Sequence, residues 1–235
     1  MLKPWSVFDF VLVWLGGILG AGLIYAAATL LGDDELALVL GLAGQYLGSL
    51  GVFWLLRRQR SGPVGFNVQP TDVFYVGIGL LLQIVLAVAF LPLTQLLFPD
   101  GAPPQQVAEA LANIESSLLL KLVLVVAAVL LAPIIEELMY RGVLLQAVSG
   151  RSRRFVMVVT ALVFSLAHVV GLHPERPLAS AAVVLPPVFL LGLTLAWVTL
   201  RAKRLGPAIF VHSGWNLLAV VVLLLPQELL ENPPI

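Results

Sequence analysis

Seven apolar stretches divide the chain, at roughly 7–31, 35–56, 72–98, 118–148, 155–171, 178–200 and 205–225. Each is close to the ~20 residues a helix needs to cross a bilayer. The fifth is the shortest, and Pro133 inside the fourth predicts a kink there. The first follows Lys3 and contains Ala26 to Ala28, features of a cleaved signal. It is longer than the ~7–15 apolar residues of such a signal, so it reads as an uncleaved first helix. No internal repeat or low-complexity segment interrupts the pattern. The fold class expected is all-α: a polytopic transmembrane bundle of about seven helices.

The polar residues between the stretches give the topology. RRQR at 57–60, RSRR at 151–154 and RAKR at 201–204 make every second connection basic. The other connections are acidic or mixed: GDDE at 32–35, the 99–117 loop with Asp100, Glu109 and Glu115, and HPER at 173–176. Glu228 and Glu231 follow in the tail. Basic connections stay cytoplasmic, so the expected arrangement has the N-terminus inside and the C-terminus outside.

Composition agrees. Hydrophobic residues make up 60% of the chain and charged residues 11%, against about 25% charged in soluble domains; mean hydropathy is +1.03. The reading is an integral, multi-pass membrane protein with lipid around it, expected in a bacterial-type inner (cytoplasmic) membrane. A net charge of zero argues against nucleic acid as a partner. The absence of cysteine removes thiol nucleophiles and cysteine–metal sites. Residues 1–235 are read as one membrane domain, with 118–225 as the presumed catalytic helix core and 1–117 as N-terminal membrane helices.

Ionisable residues inside a span are costly and mark function by default. APIIEELMYRG at 132–142 places Glu136 and Glu137 side by side in the fourth span. Glu137 and Arg141 are i, i+4 with the acid first, the favourable order for a helical ion pair. Glu136, about 100° round the helix, is left available. Phe164 with His168 and His212 with Asn216 repeat the i, i+4 spacing in the fifth and seventh spans. At 1.5 Å per residue the glutamates lie ~18–20 Å above the cytoplasmic end, His168 ~20 Å, His212 ~10 Å and Asn216 ~16 Å.

This set suits attack of water on an amide. Glu136 is the candidate general base, and a neutral His168 shares the task of holding and polarising the water. His212 and Asn216 are donors for an oxyanion. Glu136, His168 and His212 also make a two-histidine, one-carboxylate set compatible with catalytic zinc, although HExxH is missing. A glutamate-type mechanism requires no cofactor, and both arrangements stay open here.

Glu136-Glu137-xxx-Arg141, Phe164-xxx-His168 and His212-xxx-Asn216, in this order over successive spans, resemble the three motifs of the CAAX protease and bacteriocin-processing family. The Gly206-Pro207 step before the last motif is also similar. The resemblance implies an intramembrane endopeptidase, of CAAX prenyl protease type, acting on a peptide or a lipidated (prenylated) protein. It implies Glu136 and His168 on the water, His212 and Asn216 at the oxyanion, and Glu137, Arg141 and Phe164 in support. It covers 136–216; eight-helix members exist, whereas seven spans are counted here. Two other classes compete. One is a catalytically silent member serving as membrane scaffold or bacteriocin-immunity protein. The other is a proton-linked carrier, which the lack of repeated halves disfavours. His173 is read as a surface histidine, and Lys121 and Arg176 as snorkelling cations.

Overall fold

A computed structural model describes residues 2–62, 64–99 and 117–225. The acids expected in the 99–117 connection (Asp100, Glu109, Glu115) and in the tail (Glu228, Glu231) lie outside the described residues. Among the described residues, seven helices are long and apolar enough to cross a membrane. They are α1 (Val7–Thr29), α2 (Asp34–Arg57), α3 (Val76–Leu97), α4 (Leu118–Ala147), α5 (Arg153–Ala167), α6 (Pro177–Ala202) and α7 (Gly206–Leu224). A 3-10 turn, Pro70–Tyr75, leads into α3, and another, His168–Gly171, ends α5. Each helix falls within a few residues of its apolar stretch.

The helix starts follow from local chemistry, because the first N–H groups of a helix need partners. Ser6 and Asp9 form a capping box on α1. Asp33 accepts from the Leu36 N–H at 2.9 Å at the start of α2, and Ser117 and Ser152 cap α4 and α5. Pro177 and Pro207 stand in the first turns of α6 and α7, where a missing N–H costs nothing.

Between apolar helices in lipid, association rests on close packing rather than on the hydrophobic effect. Glycines supply it. Gly16 and Gly20 of α1 face Gly44 and Gly48 of α2, and a Cβ at Gly44 would collide with the Gly20 carbonyl. The same holds between α3 and α7, where Gly79 meets the Val211 carbonyl and Gly214 meets that of Val76. Between α5 and α6, a Cβ at Gly192 would stand 3.0 Å from the Ala161 Cα. Gly44→Leu should therefore lower stability by about 1–3 kcal/mol through overpacking. Thermal unfolding in detergent checks this, and an unshifted midpoint would contradict the close approach.

One end of the bundle is tied by buried carboxylates. Arg60 donates to Asp9 from Nε at 2.8 Å, and Arg204 holds both carboxylate oxygens of Asp72. These bonds hold both guanidinium groups above their ordinary arginine range. Ser61 donates to the Lys3 carbonyl at 2.8 Å, and Leu205 to that of Gly65 at 2.8 Å. The N-terminal segment and two of the three basic connections thus share this end. It also buries the start of α7: Leu205, Gly206 and Pro207 are covered. The main core lies between α1, α2, α4, α5, α6 and α7. The outward faces carry exposed apolar residues such as Leu23, Leu47, Val88 and Leu119, as a lipid-facing surface requires.

Candidate active site

The site is built on a helix whose hydrogen-bond ladder changes register twice. Within α4, Ala127–Leu131 and Leu138–Leu144 are π-helical, and Ala132–Glu137 between them is α-helical. The Ala132 N–H bonds the Ala127 carbonyl, five residues back. In that register the Ala128 carbonyl would pair with residue 133, but Pro133 has no N–H. Asn216 takes up the orphan, donating from Nδ2 to the Ala128 oxygen at 2.8 Å. The expected kink at Pro133 is thus a shift of ladder stitched to α7. Asn216→Leu should cost about 1–3 kcal/mol by leaving a carbonyl without a partner. An unchanged unfolding midpoint would mean the bond contributes nothing.

The two glutamates stand in different surroundings. Glu137 is wholly buried, and its Oε1 accepts from Arg141 Nη1 at 3.0 Å and from His212 Nδ1 at 3.0 Å. Arg141, also fully buried, spends Nη2 on the Gly192 carbonyl of α6 at 3.0 Å. One carboxylate therefore couples α4, α6 and α7. Glu136, 30% exposed, makes one ion-pair contact among the described residues, to His212 Nε2 at 3.9 Å from its Oε2. Tyr46 of α2 also lies within electrostatic reach of Glu136.

The histidines meet through Phe164. Its ring is buried and stands edge-on to His168 (5.0 Å), to His212 (5.5 Å) and to Tyr140 (5.1 Å). The Arg141 guanidinium lies 4.6 Å from the same ring, a cation–π contact. His168 bonds the Phe164 carbonyl through Nδ1 at 2.9 Å. A carbonyl only accepts, so the assigned tautomer carries its proton on Nδ1 and leaves Nε2 as a lone pair. His212 differs, because its Nδ1 faces a carboxylate.

The structure brings His212, Glu136, Glu137, Arg141 and Phe164 together. It sends the Nδ2 of Asn216 to Ala128, two turns of α4 before the glutamates, and places His168 against the Phe164 ring with no ion-pair contact to either glutamate. The straight-rod depths misplace His212, which sits level with the glutamates rather than ~10 Å below them. The reason is the buried start of α7: its first residue is tucked against Asp72 and Asn67.

An apolar groove of about 260 Å³ flanks this set between α4, α7 and the entry to α3. Val129, Ile134, Ile209 and Leu217 line it, and Ser213 is its one polar side chain. Among the described residues no three His, Asp or Glu side chains are gathered as a metal site.

Residues 118–218 match the family model described as type II CAAX prenyl endopeptidase, Rce1-like. The chain carries a CAAX-protease-family domain. No curated protein and no solved structure gives a significant match. The matched domain begins with α4 and ends two residues beyond Asn216, so it holds all three motifs.

Four participants were not legible as such in the sequence: Tyr140, Tyr46, and the backbone carbonyls of Ala128 and Gly192. Tyr140 carried a weak signal, one turn after Glu136 inside the first motif of the CAAX-protease-family domain. The carbonyls carried none. His173 also departs from a surface histidine: its Nδ1 is covered and without a partner among the described residues.

Proposed function

We propose that the chain is an intramembrane endopeptidase of CAAX type, hydrolysing a peptide bond with a water activated by Glu136. The observation that carries this is the split between adjacent carboxylates. Glu137 is consumed by Arg141 and His212, while Glu136 keeps an accessible carboxylate facing an imidazole.

Glu136 accepts a proton from the water as its oxygen attacks the carbonyl carbon. His168 Nε2, a lone pair in the assigned tautomer, is the second acceptor that orients the water. His212 is held on Nδ1 by Glu137, a carboxylate that stabilises the imidazolium, and this step uses the form that already carries both ring protons and gives up neither. In that form its Nε2–H donates to the oxyanion. Collapse of the tetrahedral intermediate breaks the C–N bond, and the proton on Glu136 passes to the leaving nitrogen. The products are a carboxylate and an amine. The apolar groove beside Ser213 suits a hydrophobic part of the substrate, lipid or side chain. The proposed setting is a bacterial-type cytoplasmic membrane with the basic connections inside.

The test is cleavage of farnesylated and unmodified peptides, matched in sequence and ending in a CAAX motif, by purified protein in detergent. The reading expects product from the farnesylated peptide, undiminished by a chelator. No product from either peptide would favour a scaffold, and loss of product with chelator would show that a metal takes part.

A further inference from the structure

Away from the glutamates, a cleft of about 540 Å³ opens between the start of α3 and the end of α6. Phe74, Tyr75 and Ile78 form one wall, and Trp197, Arg201 and Arg204 the other. The two arginines are in different states. Arg204 is taken by both oxygens of Asp72. Arg201 is exposed, its guanidinium 6.0 Å from the Trp197 ring, and among the described residues it has no hydrogen bond or ion pair. Asp72, the one acid near this cleft among the described residues, is neutralised by Arg204, so Arg201 and neighbouring Lys203 leave this end positive.

The rest of the cleft is apolar and open. Phe74 is 78% exposed and Trp197 44%, large rings open to an apolar chain laid along the cleft. A free cation at one end of an apolar slot, on the side where the basic connections meet the span ends, complements one kind of molecule. It needs a single anionic group joined to a hydrocarbon chain. Trp197 and Tyr75 are the ring types that sit at headgroup level. Basic pockets between spans of this kind take anionic headgroups.

We infer that the cleft between α3 and α6 binds an anionic phospholipid, with its phosphate on Arg201 and an acyl chain along Phe74 and Ile78. The site is separate from the glutamates, and its occupancy does not depend on the chain being a peptidase.

The test is native mass spectrometry of delipidated protein titrated with dioleoylphosphatidylglycerol or dioleoylphosphatidylcholine. Wild type should favour phosphatidylglycerol, and Arg201→Gln should weaken that lipid by roughly fivefold, bringing it toward the zwitterionic one. Arg201 makes no ion pair, so the variant should fold normally. Arg201→Lys should keep most of the preference, and Arg58→Gln, on another connection, all of it. Equal binding of the two lipids by wild type, or an Arg201→Gln variant with full preference, would overturn the site. Displacement of the lipid by millimolar glycerol 3-phosphate would overturn it too, because it would mean that a free phosphate suffices.

Discussion

Glu136→Gln is expected to abolish peptide cleavage while the protein stays folded. The amide keeps the size and one acceptor of the carboxylate but cannot take a proton from water, so the rate should fall by about 10²–10⁴-fold. Stability should barely move. Glu136 is partly exposed, and its one ion-pair contact among the described residues is a 3.9 Å approach to His212, so a change within ~0.5 kcal/mol is expected. The pairing of the two readings matters. A variant that lost activity by unfolding would say nothing of the base, whereas a cooperative thermal transition at the wild-type midpoint with no product isolates the chemistry. Full activity in Glu136→Gln would remove the residue from its assigned role.

Glu137→Ala should fail in the opposite way, by losing the fold. The substitution strands Arg141, wholly buried, with one neutral acceptor left at Gly192, and frees His212 from its anchor. Removing one partner of a buried ion pair typically costs about 3–5 kcal/mol, chiefly because the other charge stays buried. The double variant Glu137→Leu with Arg141→Leu removes both charges and should recover much of that stability. It should not recover activity, since His212 would still lack the carboxylate. Thermal unfolding of Glu137→Ala and of the double variant checks this. If Glu137→Ala unfolds at the wild-type temperature, the coupling of α4, α6 and α7 through this carboxylate is not what holds them.

These two outcomes depend on features that differ in how far the sequence revealed them. The spans were legible because lipid satisfies no backbone group, so each crossing must be a continuous apolar helix. The separate fates of Glu136 and Glu137 were legible because i, i+4 geometry is local: Glu137 to Arg141 is one turn, whatever else the chain does. What packs between helices was not. GxxxG pairs in α1 and α2 stand in the sequence, but glycine spacing alone does not name the facing helix. The π turns of α4 hinge on which side chain arrives to catch the Ala128 carbonyl, and Asn216 comes from 88 residues away. The level of His212 was misjudged because helix depth was counted from an assumed boundary, whereas the start of α7 is pinned inside the bundle by the Asp72–Arg204 pair and the segment before α3. Phe164 was legible as a neighbour of His168 but not as the ring that both histidines share.

Glu136 as the base that activates water is the centre of this account. The most direct measurement is mass spectrometry of a farnesylated CAAX peptide incubated with purified protein in ¹⁸O-labelled water, wild type beside Glu136→Gln. The account predicts a wild-type product whose new carboxylate carries one labelled oxygen, and no product above background from the folded variant. Labelled product formed equally by Glu136→Gln, or no product from folded wild type, would contradict it.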